Sequence, residues 1–138
     1  MGARPDQTAL LTRGVIRLFL DLGMSPLAEF RLANGRRADV AALDKAGRVT
    51  IVEVKSCRAD FEADTKWPDY RDYCDRFYFA VDPTFPLSLL PQDEGLILAD
   101  AYGAVVKTRS PERALAPARR KAVMLRFARQ AAWRLADA

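Results

Sequence analysis

The sequence predicts an α/β domain with a mixed central sheet flanked by helices. An amphipathic helical run near the start, a series of short β-branched segments between turn signals, and a basic helical run at the end carry that expectation. Residues 6–22 form the first helix: Leu11, Val15, Leu18 and Leu22 recur on one helical face, with Ile16 and Phe19 beside it. Asp6 and Thr8 are candidates for its N-cap, and Gly23 for its stop. A short strand follows at Glu29–Leu32, then a turn at Asn34-Gly35. The segments 36–43 and 48–55 are strands joined through Asp44-Lys45-Ala46-Gly47. After a polar, aromatic-punctuated stretch, a helix begins near Pro68, since proline suits a first helical turn. RFYFAV (76–81) and GLILAD (95–100) are buried strands on either side of a Pro-rich loop. A turn at Tyr102-Gly103 leads into a last strand, Ala104–Lys107. The final helix runs from Pro111 or Glu112 to about Ala136, interrupted near Pro117, with Leu125, Ala128 and Ala132 on its apolar side and Val123 and Phe127 near by.

The 138 residues fit one domain, 1–138, with a basic C-terminal helix. No apolar run is long enough to span a membrane, and the opening residues lack the pattern of a secretory signal. Cys57 and Cys74 make neither a CxxC pair nor a disulfide framework, and Cys57 reads as a small buried hydrophobe. A reduced, cytoplasmic setting with no membrane partner is the expectation. Histidine is absent altogether, which removes Ser-His-Asp chemistry, histidine general acid–base catalysis and His-ligated zinc. Hydrolysis would have to draw on carboxylates, lysine and a hard metal. Charge is unevenly spread: from Lys107 onward there are nine basic residues against two acidic, whereas residues 1–106 carry thirteen basic and sixteen acidic. That asymmetry suits a metal centre with a surface for a polyanion, or else an arginine-rich solvated helix face.

The hairpin carries the chemistry. Side chains alternate along a strand, so Asp39, Ala41 and Leu43 share one face, as do Val49, Ile51, Glu53 and Lys55. A three-residue loop, Lys45-Ala46-Gly47, with glycine left-handed, sets Leu43 against Val49, Ala41 against Ile51 and Asp39 against Glu53. A four-residue loop would send the two acids to opposite faces. Facing carboxylates repel unless a cation lies between them. Magnesium favours oxygen ligands, so Asp39, Glu53 and the Val54 carbonyl are a suitable set. Lys55, on the same face, is placed to position water or to stabilise charge on a phosphate.

Asp39 followed by Glu53-Val54-Lys55 resembles the PD-(D/E)xK nuclease signature. The longer stretch GRRADVAALDKAGRVTIVEVKSCRADFEADTKWPDYRDYCDRFYFAV (35–81) resembles the MmcB-related family of bacterial DNA repair proteins, and the resemblance extends over most of the chain. It implies a restriction-endonuclease-like fold and a divalent-metal-dependent DNA nuclease acting in repair. Asp39 and Glu53 would bind Mg2+, with Mn2+ able to substitute, and Lys55 would assist hydrolysis. Many members of the superfamily carry a metal-binding glutamate on the first helix; residues 8–22 have none, so Glu29 is the candidate for that role.

Further candidates have two readings each. Arg36 and Arg37 suit DNA phosphates or ordinary ion pairs, and Lys66 a phosphate contact. Asp60 and Asp64 line the cleft or cap turns. Trp67, Tyr70 and Tyr73 suit base stacking or the core. Arg119, Arg120 and Lys121 would carry DNA on the last helix. The alternative to a nuclease is a non-catalytic DNA-binding or scaffold module in a complex with other repair proteins. A homodimer is expected if both strands of a duplex are cut.

Overall fold

The computed structural model describes residues 6–138. Helix α1 (Gln7–Asp21) starts where the Asp6 carboxylate accepts the Thr8 N–H at 3.0 Å. It ends at Leu22, after which Gly23 takes a left-handed φ of +75°. The buried stripe is Leu11, Gly14, Val15 and Phe19, whereas Leu22, beyond the last turn, is 59% exposed. Gly14 lets the helix seat closely, because a Cβ there would lie 2.0 Å from the Asp100 carbonyl oxygen.

Strand β1 (Ser25–Arg31) begins four residues before the expected start. Pro26 hides it in sequence, but an edge strand tolerates proline. Strands β2 (Arg37–Leu43) and β3 (Val49–Val54) follow as expected. The polar stretch after β3 folds as a short helix, α2 (Arg58–Ala63), and a 3-10 segment, Trp67–Tyr73, with Pro68 in its first turn. Strands β4 (Arg76–Val81), β5 (Gly95–Ala99) and β6 (Ala104–Thr108) complete the sheet. Helix α3 (Pro117–Ala136) starts at the proline expected to interrupt it. Residues 112–116 are instead irregular, with Arg113 N–H donating to the Asp75 carbonyl at 2.8 Å and Leu115 N–H to the Asp75 carboxylate at 2.9 Å.

The six strands lie in sequence order, β1 to β6. Neighbours β1/β2, β2/β3 and β5/β6 are antiparallel; β3/β4 and β4/β5 are parallel. Helix α1 covers one face, over Val40, Val52, Val54, Ala80 and Ile97. On the other face α3, α2 and the 3-10 segment cover Ala41, Val49, Ile51, Phe77 and Phe79. Trp67 stacks on Phe77 at 5.7 Å and meets Phe79 edge-on at 5.0 Å, pairs that each add about 1 kcal/mol beyond area burial.

The packing face of α3 differs from the expected one. Val123 and Phe127 are buried, Phe127 against Phe30 at 5.7 Å, while Leu125 is 55% exposed and Ala128 and Ala132 are exposed. Polar anchors choose this rotation. Gln130 accepts the Arg31 N–H at 2.9 Å and donates to the Arg31 carbonyl at 2.8 Å, as a neighbouring strand would. Arg134 donates to the carbonyls of Ala28 and Glu29. The open edge of β1 is thereby covered. Among the described residues, no helix is long and apolar enough to cross a membrane.

Candidate active site

The β2–β3 register is the one derived from alternation and turn geometry. Leu43 pairs with Val49 and Ala41 with Ile51, around a loop in which Gly47 is left-handed at φ +81°. Asp44 closes it: its N–H donates to the Arg48 carbonyl at 3.1 Å, and its carboxylate accepts the N–H groups of Ala46 and Arg48 at 2.9 Å each. Extending the register sets Asp39 opposite Glu53. Their contacts agree: the Asp39 N–H donates to Glu53 Oε1 at 3.1 Å, and the Val54 N–H donates to Asp39 Oδ2 at 2.8 Å.

The Asp39 N–H is free to do this because of Glu29. The β1–β2 ladder pairs Ala28 with Val40 and Phe30 with Ala38 but skips Glu29 and Asp39. Glu29 is left-handed, φ +53°, a conformation that costs a non-glycine residue about 1–2 kcal/mol. The kink resets the alternation, so that Leu27 and Phe30, three residues apart, both pack in the same core layer. It also interrupts the ladder at the position where the Glu53 carboxylate reaches Asp39.

Both acids are held in their neutral direction. Burial, then the charge of Asp39, pushes the Glu53 carboxyl up to about 8; the residue is 5% exposed. Burial also raises Asp39, against the hydrogen bond from Val54 and the charge of Lys55. The Val54 carbonyl leaves its strand on the same side as its N–H, toward Asp39. Lys55, equally buried, extends its ammonium to Asp64 Oδ2 at 2.6 Å. Partial burial would raise the Asp64 carboxyl, but hydrogen bonds from Lys55 and the Lys66 N–H outweigh it and hold the group below its ordinary value.

The remaining candidates divide. Arg36 meets Asp69 at 3.5 Å and Arg37 meets Glu29 at 3.9 Å. Glu29 is exposed and turned toward that arginine, and among the described residues no group of three or more His, Cys, Asp or Glu side chains is set to hold a metal. Lys66 and Lys121 are exposed, and Arg119 lies over the Tyr73 ring at 4.5 Å. Three expectations are corrected. Tyr70 is buried, stacked on Phe77 at 6.3 Å with its hydroxyl donating to the Arg37 carbonyl at 3.0 Å, so it has no face to offer a base. Arg120 forms a two-pronged pair with Asp75, at 2.8 and 2.6 Å, and donates to the Gly47 carbonyl at 2.8 Å. It pins α3 to the hairpin rather than facing a polyanion. Cys57 is exposed, not buried, whereas Cys74 lies in the core. Asp60 accepts the Ser56 N–H at 3.0 Å at the end of β3, the turn-capping role.

The fold is an α/β domain, a mixed six-stranded sheet flanked by helices, with facing acids on its β2–β3 hairpin and a lysine two residues on. The sequence model for MmcB-like DNA repair proteins matches residues 1–138, and the chain belongs to that family. Among solved structures it is similar to a protein of unknown function from Silicibacter pomeroyi, with 45% identity and a TM-score of 0.92 over 96% of this chain and 91% of that one. A distant likeness, at 16% identity and a TM-score of 0.46, is to a repair endonuclease from Pyrococcus abyssi, covering 74% of this chain and 50% of that one. No curated protein matches.

Proposed function

We propose that the protein is a divalent-metal-dependent nuclease that hydrolyses phosphodiester bonds of DNA during repair. The observation that carries this reading is the facing pair of buried Glu53 and half-buried Asp39, with too few donors for two negative charges. Such a pair is costly unless a cation joins it. With the Val54 carbonyl, the donors are all hard oxygens, which suits Mg2+ or Mn2+. A metal there supplies a Lewis acid beside the phosphoryl group and acidifies water.

Asp39 and Glu53 hold the cation, and Glu53 gives up its proton to do so at neutral pH. Lys55 has two ammonium protons beyond the one directed at Asp64, and these serve a phosphate oxygen as charge develops on it. Arg36, Arg37 and Lys66, with Arg119 and Lys121 on α3, are the basic groups left to meet the DNA backbone. Family membership supports the repair setting.

Incubation with single-stranded, duplex and branched DNA and Mg2+ or Mn2+ tests the proposal. Cleavage is expected to fall by about 10²-fold or more in Glu53→Ala and Lys55→Ala. Equal cleavage by wild type and both variants would assign the activity to a contaminant. Salt-sensitive DNA binding that survives Asp39→Ala, with no cleavage by the wild type, would favour the non-catalytic module instead.

A further inference from the structure

We infer that Asp64 is a positioning residue that holds the Lys55 ammonium away from the Asp39–Glu53 pair and so keeps that pair open for a cation; this rests on the metal-site reading above. Lys55 follows Glu53 on the same face of the hairpin, and an ammonium is itself a cation. Three carboxylates feel its charge: Glu53 on its own strand, Asp39 on β2 and Asp64 at the end of α2. With nothing to direct it, Lys55 would neutralise the facing acids and occupy the metal's place. Among the described residues, Asp64 is the one carboxylate within 4.0 Å of the ammonium, at 2.6 Å.

Asp64 is built to hold that position. It is the C-cap residue of α2, and its Oδ1 accepts the Lys66 N–H at 2.9 Å, which leaves Oδ2 for Lys55. Helix α2 is only six residues long, but Phe61 anchors it edge-on to Phe79 at 5.5 Å and to Phe85 at 6.4 Å. The acceptor therefore belongs to a fixed element, and the lysine bends toward it. The side chains are 6% and 19% exposed, so water screens the contact little.

Asp64→Asn tests this cleanly. The amide keeps an acceptor for the Lys66 N–H but loses the anionic oxygen that draws Lys55. Mn2+ affinity, read by electron paramagnetic resonance without DNA, is expected to weaken about tenfold in Asp64→Asn, the scale of a lost charge-assisted hydrogen bond. In a Lys55→Ala background the same substitution should change affinity far less, because the competing ammonium is gone. An equal loss in both backgrounds would mean that Asp64 acts by its charge alone and would overturn the inference. In metal-free protein, the Lys55 15Nζ and Glu53 13Cδ resonances should shift together in Asp64→Asn; unchanged signals would also overturn it. Failure of the wild type to bind Mn2+ would remove the metal-site reading itself, while the metal-free spectra would still decide whether Asp64 sets the lysine's position.

Discussion

The two ends of β3 each hold a buried acid against the strand's backbone, with opposite results. At the Val49 end, Asp75 accepts the Val49 N–H at 2.7 Å, the Leu115 N–H at 2.9 Å and both prongs of Arg120. Burial alone would raise its carboxyl, but those donors outweigh it and hold the group below its ordinary value. At the Val54 end, Glu53 and Asp39 share a face with one backbone donor each, and both are raised. Burial is common to the two ends, so donor count and partner charge decide the sign. A satisfied acid fastens β3 to α3 and to the 112–116 segment. The pair at the Val54 end has one backbone donor for each acid and no such fastening.

The largest effect should come from breaking the satisfied end. Asp75→Ala leaves Arg120 without its partner and two backbone N–H groups without acceptors, and should cost about 3–5 kcal/mol in denaturant unfolding. A loss below about 1 kcal/mol would mean that Asp75 is not an anchor.

Removing the charge at the unsatisfied end should act the other way. A raised carboxyl binds more protons folded than unfolded, so its stabilising contribution is complete below the ordinary value of 4.5 and is lost as pH rises through about 8. Thermal unfolding of the metal-free wild type should therefore weaken over that window. Glu53→Gln should flatten the slope and gain about 1–3 kcal/mol at pH 8–9. Mn2+ should raise the wild-type midpoint more than that of the variant. A wild-type midpoint that is level from pH 5 to 9 would remove the contrast between the two ends. For Asp75 the sign is reversed: its contribution is present above the ordinary carboxylate range and is lost as pH falls through its lowered value.

The smallest effect concerns the kink that admits Glu53 to Asp39. Glycine accepts a positive φ without strain, so Glu29→Gly should be neutral or stabilising by up to about 1 kcal/mol, with the Asp39 N–H still protected from hydrogen exchange. Glu29→Val should instead destabilise, since a β-branched residue resists that conformation.

The sequence by itself determined the hairpin and its register, hence the shared face of Asp39, Glu53 and Lys55. Alternation has a period of two, and Gly47 sets the loop length, so residues close in the chain suffice. Most strands and the first helix were legible for the same reason. Tertiary structure decided which charges are partnered. Arg120 and Asp75 stand 45 positions apart, so an arginine that reads as a DNA contact is instead an anchor. Tyr70 lies 33 positions from the carbonyl that takes its hydroxyl, and the rotation of α3 depends on Gln130 meeting Arg31 across 99. Even Lys55 and Asp64, nine apart, meet only because Phe61 seats α2 on the sheet. Local sterics and periodicity act over a few residues, whereas ion pairing and burial depend on which surfaces the folded chain brings together.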